Sequence, residues 1–253
     1  MPRYALLVEY DGAPFVGWQR QSSGLSIQQV LEEAAAPLSG GEPVRMMASG
    51  RTDAGVHALG QVVQLDLARD LPPERLREAL NFHSRMHPVS VVRVARAPED
   101  WSARFSCIKR GYRYRILNRR ARPALDMGRV WHLTLPLDAE AMHRAAQTLL
   151  GRHDFSAFRA AACQAKDALR TLDRLDIARQ GDEVVVETEA RSFLHHQVRN
   201  LVGTLVEVGL GRRPVSWPRA LLEGRDRSAA GQTAPAAGLT FLFARYPEPL
   251  DWC

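Results

Sequence analysis

Apolar residues recur at every second position in several short stretches of this chain, and that period of two limits what it can build. In RYALLVEY (3–10), Tyr4, Leu6, Val8 and Tyr10 share one face of a strand. In QVVQLDL (61–67), Val63, Leu65 and Leu67 lie on one face, with Val62, Gln64 and Asp66 on the other. VSVVRVARA (89–97), KRGYRYRIL (109–117), stretches near 171–178 and 183–189, and LTFLFARY (239–246) read as further strands. Helical signals fall between them without strict alternation. Ser26 with Gln29 forms a capping box that opens a helix through Val30, Leu31 and Ala34. Pro72-Pro73 starts a short helix, and Asp138 caps another that Gly151 stops. Leu194, Val198, Leu201, Leu205 and Val208 recur at spacings of 4, 3, 4 and 3, one helical stripe closed by Gly209 and Gly211. Arg199 flanks this stripe, with His195 one turn earlier. Residues 211–238 are rich in Arg, Pro, Gly and Ala and read as irregular. Strands and helices mixed without βαβα order predict an α+β fold with an antiparallel sheet.

The 253 residues allow one large domain or two modest ones. From Trp101 to Leu125 there is no acid but there are eight basic residues: Arg104, Lys109, Arg110, Arg113, Arg115, Arg119, Arg120 and Arg122. This block is the expected boundary between halves 1–100 and 101–253. It also points to a polyanionic partner, because Trp101, Phe105, Tyr112 and Tyr114 are interleaved with the arginines. The plainer reading is a solvated face. No apolar run is long enough for a membrane span, and the N-terminal run is too short for a signal peptide, so a cytoplasmic protein is expected. Three scattered cysteines, Cys107, Cys163 and Cys253, argue against a disulfide framework and against a cysteine-rich zinc site. His83 and His87 have HxxxH spacing but no HExxH glutamate, and Pro88 follows at once. No metal is expected.

The most unusual stretch is GRTDAG (50–55), a loop of small and charged residues directly before a strand. An Asp beside Gly in a loop is commonly a turn former or a cap. The alternative is a reactive group. With Arg51 two residues away and Arg199 available from the long helix, Asp53 would stay ionised, which suits a nucleophile or an electrostatic stabiliser better than a general acid.

Several segments together resemble the tRNA pseudouridine synthase A family. They are YDGAPFVGWQRQ (10–21), GRTDAGVHA (50–58), ARFSCIKRGYRYRI (103–116), GRHDFSAFRAAACQ (151–164), FLHHQVRNLVGTLVEVGLGR (193–212) and TAPAAGLTFLFARYP (233–247). They cover essentially the whole chain in the family's order. The resemblance implies isomerisation of uridine to pseudouridine at positions 38, 39 and 40 of the tRNA anticodon stem-loop. It implies a pseudouridine synthase fold, with two domains around a largely antiparallel β-sheet, flanking helices and a central cleft. It also implies a homodimer, no metal and no organic cofactor.

By the same resemblance Asp53 is the catalytic carboxylate, acting either by attack on C1′ or by taking a 2′ proton to give a glycal. Arg199 pairs with it. Tyr112 stacks on the uracil and helps remove the C5 proton, although a free phenol, with a pKa of about 10, is a weak base near neutral pH. The target uridine must leave the stack. Arg51 fills the gap it leaves, and Leu239 packs on the uracil or is simply a core leucine. Trp101, Ser102, Ala103, Arg104 and Phe105, and Ala162, Cys163, Gln164, Ala165 and Lys166, match tRNA-contacting stretches. His57, Asp154, His195 and His196 are read as structural, as are Trp18 and Gln19. The chain departs from the family pattern at Gln197 (usually Met), Ala168 (often Pro), Thr240 (often Tyr) and residues 80–90. Two other functions stand against this one: a tRNA-binding or tRNA-folding protein without catalysis, and a hydrolase using Asp53 with a histidine. The presence of Asp53, Arg51, Tyr112 and Arg199 together disfavours the first. The second lacks a histidine that the sequence places against Asp53.

Overall fold

A computed structural model describes residues 1–253. The chain divides into two compact units, Met1–Arg110 with Phe241–Cys253, and Gly111–Thr240. The first boundary falls at 110/111 rather than near 100, and the final segment returns to the first unit. The ten strands pair mostly antiparallel. No helix is long and apolar enough to cross a membrane.

The first unit runs β1 (Arg3–Tyr10), α1 (Ile27–Ala35), β2 (Met46–Ala48), β3 (His57–Asp66), α2 (Pro73–Ser84) and β4 (Val89–Ala97). β1 lies between β3 and β4, antiparallel to both, with Leu6 opposite Val63 on one side and Val94 on the other. β2 adds outside β3, Ala48 opposite Val63. A central strand buries both faces. Tyr4, Leu6 and Val8 are fully buried on one, and Ala5 packs with Val62, Trp101 and Ala103 on the other. Each fully buried aliphatic side chain of this kind contributes about 1.5–3 kcal/mol. α1 starts where the sequence predicts, the Ser26 hydroxyl accepting from the Gln29 amide at 3.2 Å. The box is only half closed, because the Gln29 side chain bonds Glu33 at 2.9 Å. α2 has no side-chain cap. Prolines at its start supply the helical φ instead.

The chain enters the second unit within β5 (Lys109–Asn118) and continues through β6 (Trp131–Leu133), α3 (Ala139–Gln147), β7 (Gly151–Asp154), β8 (Leu169–Gln180), β9 (Glu183–Ala190), α4 (Gln197–Gly209) and α5 (Trp217–Gly224). It leaves within β10 (Leu239–Arg245). Strand order in this unit is β5-β9-β8-β7, with β6 parallel to β5. Asp138 caps α3, accepting from the Ala141 amide at 2.8 Å. The helix ends at Gln147, before Gly151, whose φ of +95° opens β7 instead. α3 packs on β8 and on α4.

Three expectations are corrected here. α4 begins at Gln197, not at Leu194, so His195 and His196 are not helical. The Gln197 amide donates to the Leu194 carbonyl at 3.0 Å and its side-chain oxygen accepts from the Leu194 amide at 2.8 Å. That closed turn leaves His196 left-handed, φ 60°. The stretch 211–238 contains α5, whose Leu221 and Leu222 are buried. At eight residues it is too short to show a stripe. Finally, much of the basic block has acidic partners. Arg113 meets Glu187 at 2.7 Å, Arg115 meets Glu183 at 2.6 Å and Asp126 at 3.0 Å, and Arg119 meets Asp182 at 3.3 Å. The alternation of β5 sends Arg113 and Arg115 to one face, and all the acids but Asp126 come from β9 and its turn, far along the chain. These part-exposed pairs contribute about 0–1 kcal/mol each, but they account for charge that local sequence leaves unbalanced.

Candidate active site

In the first unit, residues 49–56 hang between β2 and β3, and nearly every anchor is a backbone group or a buried polar side chain. The Ser49 amide donates to the Val62 carbonyl at 2.8 Å. Arg110 donates from Nε to the Ser49 carbonyl at 3.0 Å. Gln61, fully buried, donates to the Gly50 carbonyl at 2.8 Å and accepts from the Ser49 hydroxyl at 2.6 Å. The Thr52 carbonyl accepts from the Trp18 amide at 3.0 Å, and the Thr52 hydroxyl bonds the Tyr10 hydroxyl at 2.8 Å. Gly55 donates to the Phe15 carbonyl at 3.3 Å, and Val56 to the Asp53 carbonyl at 3.1 Å. His57 Nδ1 accepts from the Gly12 amide at 3.1 Å. Burial pushes the Tyr10 phenol up to about 12, partly offset by its hydrogen bonds to Thr52 and Gln61. It therefore stays a neutral hydrogen-bonding post at any working pH.

The opening segment DGAPFVGW packs against this loop without side chains in between. A Cβ on Gly12 would sit 2.0 Å from the Val56 carbonyl oxygen. A Cβ on Gly17, whose φ is +104°, would sit 2.8 Å from the Thr52 carbonyl oxygen and 3.0 Å from the Asp53 backbone. Both positions require glycine. The result is a loop with a fixed backbone that presents a half-buried Asp53 and an exposed Arg51.

The predicted contact stretch 101–105 is split by burial. Trp101 packs against Tyr246, ring centroids 5.1 Å apart. Ala103 is fully buried, and its carbonyl accepts from the Tyr246 hydroxyl at 2.7 Å. The Ser102 hydroxyl accepts from the Phe105 amide at 3.3 Å. Arg104 and Phe105 are exposed, the guanidinium 5.5 Å from the ring centre. They are the side chains of this stretch that can meet a partner.

In the second unit, Tyr112 is buried edge-on against Phe193, centroids 5.2 Å apart and planes at 89°. Arg199 projects from the first turn of α4 and donates from Nε to the Ala234 carbonyl at 2.7 Å, while the Ala234 amide donates to the Arg199 carbonyl at 3.1 Å. The Tyr114 hydroxyl donates to the Pro235 carbonyl at 2.7 Å. Burial holds its phenol above the ordinary range, and nearby Arg199 opposes that. Leu239 is buried at the start of β10. Residues 162–166 form a turn tied by Arg159, which donates to the carbonyls of Cys163 and Ala165 at 2.8 Å each. In it Ala162, Gln164 and Lys166 are exposed. Desolvation pushes the Cys163 thiol up, but hydrogen bonds from the Ala165 and His195 backbone and the charge of Arg159 outweigh it, so the net shift is downward.

Sequence reading passed over Tyr10, Gln61, Asn200 and Arg227. A glutamine amid the apolar alternation of β3 was the available signal for Gln61, since a buried amide needs partners. Asn200, beside Arg199 in the VRN run, gave a similar one.

Comparison with known proteins bears on both units. The family model for tRNA pseudouridine synthase matches residues 6–106 and 145–247. Arg51, Asp53, Arg199 and Leu239 fall inside the matched segments, and Tyr112 falls between them. A protein of Methylobacterium sp. (strain 4-46) named tRNA pseudouridine synthase A is 59% identical over 249 residues, 98% of this chain and 99% of its own. One of Acidiphilium cryptum (strain JF-5) with the same name is 61% identical over 247 residues, 97% of each chain. One of Maricaulis maris (strain MCS10), also so named, is 51% identical over 249 residues, 98% of this chain and 100% of its own.

Proposed function

Since the chain belongs to the tRNA pseudouridine synthase family, a family of isomerases, we propose that it converts uridine to pseudouridine at positions 38, 39 and 40 of the tRNA anticodon stem-loop, with Asp53 as the reacting carboxylate. The observation that supports this role is the anchoring of residues 49–56. Backbone and buried polar groups fix the Asp53 loop, and Gly12 and Gly17 let other backbone approach it directly. A turn-forming aspartate has no need of such support, whereas a group that must be held within about 0.5 Å of a productive geometry does.

The reaction breaks the N1–C1′ bond, turns the uracil and joins C5 to C1′. The proton lost from C5 is balanced by one gained at N1, so no water or electron is consumed. Asp53 serves either by attack on C1′ or by removing the 2′ proton. Arg199 is the arginine of the active site, its guanidinium aimed by the Ala234 carbonyl. Tyr112, its ring fixed by Phe193, stacks on the uracil and assists at C5. Arg51 occupies the place of the flipped nucleotide, and Leu239 packs against the base. Arg104, Phe105 and Lys166 contact the RNA backbone, with affinity that falls as salt rises.

The test is tritium release from a tRNA transcript carrying 5-tritiated uridine, with wild type and Asp53→Ala compared. Release by wild type and none by the variant, with tRNA binding retained in both, is the expected result. Binding without release by either protein would sink the proposal and leave a tRNA-binding protein in its place.

A further inference from the structure

Arg199 is held by a strap of backbone, residues 231–235, that lies along α4. The two surfaces touch without side chains between them. A Cβ on Gly203 would sit 1.8 Å from the Gln232 carbonyl oxygen, and one on Gly231 would sit 2.7 Å from the Thr204 Cα. The Gly231 amide donates to the Thr204 hydroxyl at 3.1 Å, and that hydroxyl donates to the Asn200 carbonyl at 2.8 Å. At the far end of the strap sits Ala234, which makes the two-way backbone contact with Arg199. Whatever fixes the strap therefore helps to aim the Arg199 guanidinium.

One side chain from outside the strap binds it at several points. Arg227 donates from Nη1 to the Gly231 carbonyl at 2.9 Å, and from Nη2 to the Thr233 hydroxyl at 3.1 Å and to Asn200 Oδ1 at 3.0 Å. The Thr233 hydroxyl passes its own proton to Asn200 Oδ1 at 2.7 Å, and Asn200 Nδ2 donates to the Phe158 carbonyl at 2.9 Å. The polarity is consistent throughout. Arginine can only donate, so the Asn200 oxygen must face it, and the amide nitrogen then meets a carbonyl. Asn200 is fully buried, so losing these donors would strand its oxygen. Asn200 and Arg199 are consecutive on the helix, about 100° apart. The clasp thus grips α4 on one side while the strap it holds reaches round to Arg199.

We propose that Arg227 is a positioning residue for the uridine isomerisation: with Asn200 and Thr233 it clamps the 231–235 strap and so sets the orientation of Arg199. The proposal rests on the assignment of Arg199 to the active site. Arg227 touches neither substrate nor reacting atoms in this scheme. A two-pronged guanidinium is suited to the task because it ties strap and helix at once, which a lysine ammonium cannot do with the same geometry.

The experiment is single-turnover tritium release at saturating tRNA, alongside the tRNA dissociation constant and circular dichroism, for wild type, Arg227→Ala, Arg227→Lys and Thr233→Val. Arg227→Ala is expected to slow isomerisation by about ten- to a hundredfold, the scale set by small misplacements of oriented groups. Its tRNA dissociation constant should stay within about twofold, Arg227→Lys should recover part of the rate, and Thr233→Val, nearly isosteric, should lose a smaller factor. Wild-type release shows that the underlying reading of the enzyme stands, so a failure in the variants falls on the clasp alone. A folded Arg227→Ala with wild-type rate would overturn the proposal. So would a loss confined to tRNA affinity, which would make Arg227 an RNA contact. If Arg227→Ala does not fold, folded Thr233→Val decides, and a wild-type rate in it overturns the proposal.

Discussion

The Asp53 loop and the Arg199 helix solve the same problem with different materials. In the first unit, a loop without regular structure is held by backbone hydrogen bonds, buried Tyr10 and Gln61, and glycine contacts that leave no room for a side chain. In the second, a regular helix supplies the backbone, and the functional arginine is steered by a clasp of three polar side chains acting through a strap. The loop has no ladder of its own to define it, so its position is only as good as the surfaces around it. The helix defines its own backbone and leaves only the guanidinium to be aimed. Both should fail abruptly where a methyl intrudes on packed backbone, at Gly12 in the first and at Gly203 in the second. Only the second should also degrade in steps as individual side-chain hydrogen bonds are removed.

The sharpest break between them is Gly12→Ala. The added carbon would lie 2.0 Å from the Val56 carbonyl oxygen, so the Asp53 loop must move. Isomerisation is expected to fall by about 10²-fold or more, with a stability loss of about 1–3 kcal/mol from overpacking. Single-turnover tritium release and a urea melt measure the two. An unchanged rate would show that the loop tolerates displacement and that the proposed reason for its anchoring is wrong.

Arg199→Lys probes the other design with a gentler change. The charge remains, but the Nε donor to the Ala234 carbonyl, 2.7 Å in wild type, is lost along with the planar fork. A rate loss of about tenfold is expected, with tRNA affinity unchanged. Full activity in the lysine variant would mean that charge alone matters at this position, and that aiming by the strap is irrelevant.

What the sequence made legible follows the range of the interactions involved. The β4 strand and the caps at Ser26 and Asp138 are written in neighbouring residues, and they stand where period and capping chemistry put them. The loop character of residues 50–55 is equally local, since β3 begins directly after them. What escaped is non-local. The acid-free block looked unbalanced because Glu183 and Glu187, which pair with Arg115 and Arg113, are some seventy residues away. The histidines before α4 read as helical because the stripe begins at Leu194, but Gln197, bonding back to Leu194, starts the helix only after them. The same departure from the commoner methionine thus has a concrete structural use. Arg227 lies in a stretch that reads as irregular, and nothing near it in sequence announces that Asn200, on α4 with α5 in between, is its partner.

The smallest effect at neutral pH, and the most specific, belongs to Tyr10→Phe. Deleting the hydroxyl that bonds Thr52 at 2.8 Å should cost about 1 kcal/mol. The alkaline limb is the more telling part. The Tyr10 phenol titrates at about 12 when folded, against 10.0 unfolded. Between those values the unfolded chain has released the proton and the folded one has kept it, so stability falls as pH rises through this window, by about 2–3 kcal/mol in total. Phenylalanine removes that slope. Buried Tyr114 and Tyr246, whose phenols are also raised, contribute the same slope to both proteins and cancel in the comparison. Urea midpoints from pH 8 to 12 should therefore show wild type ahead at first, the two curves closing above pH 10, and the variant ahead near pH 12. A constant gap across the range would mean that the Tyr10 hydroxyl is open to solvent. The Asp53 loop would then lack the sealed polar post beneath it, and the contrast between a wedged loop and a clasped helix would lose its first half.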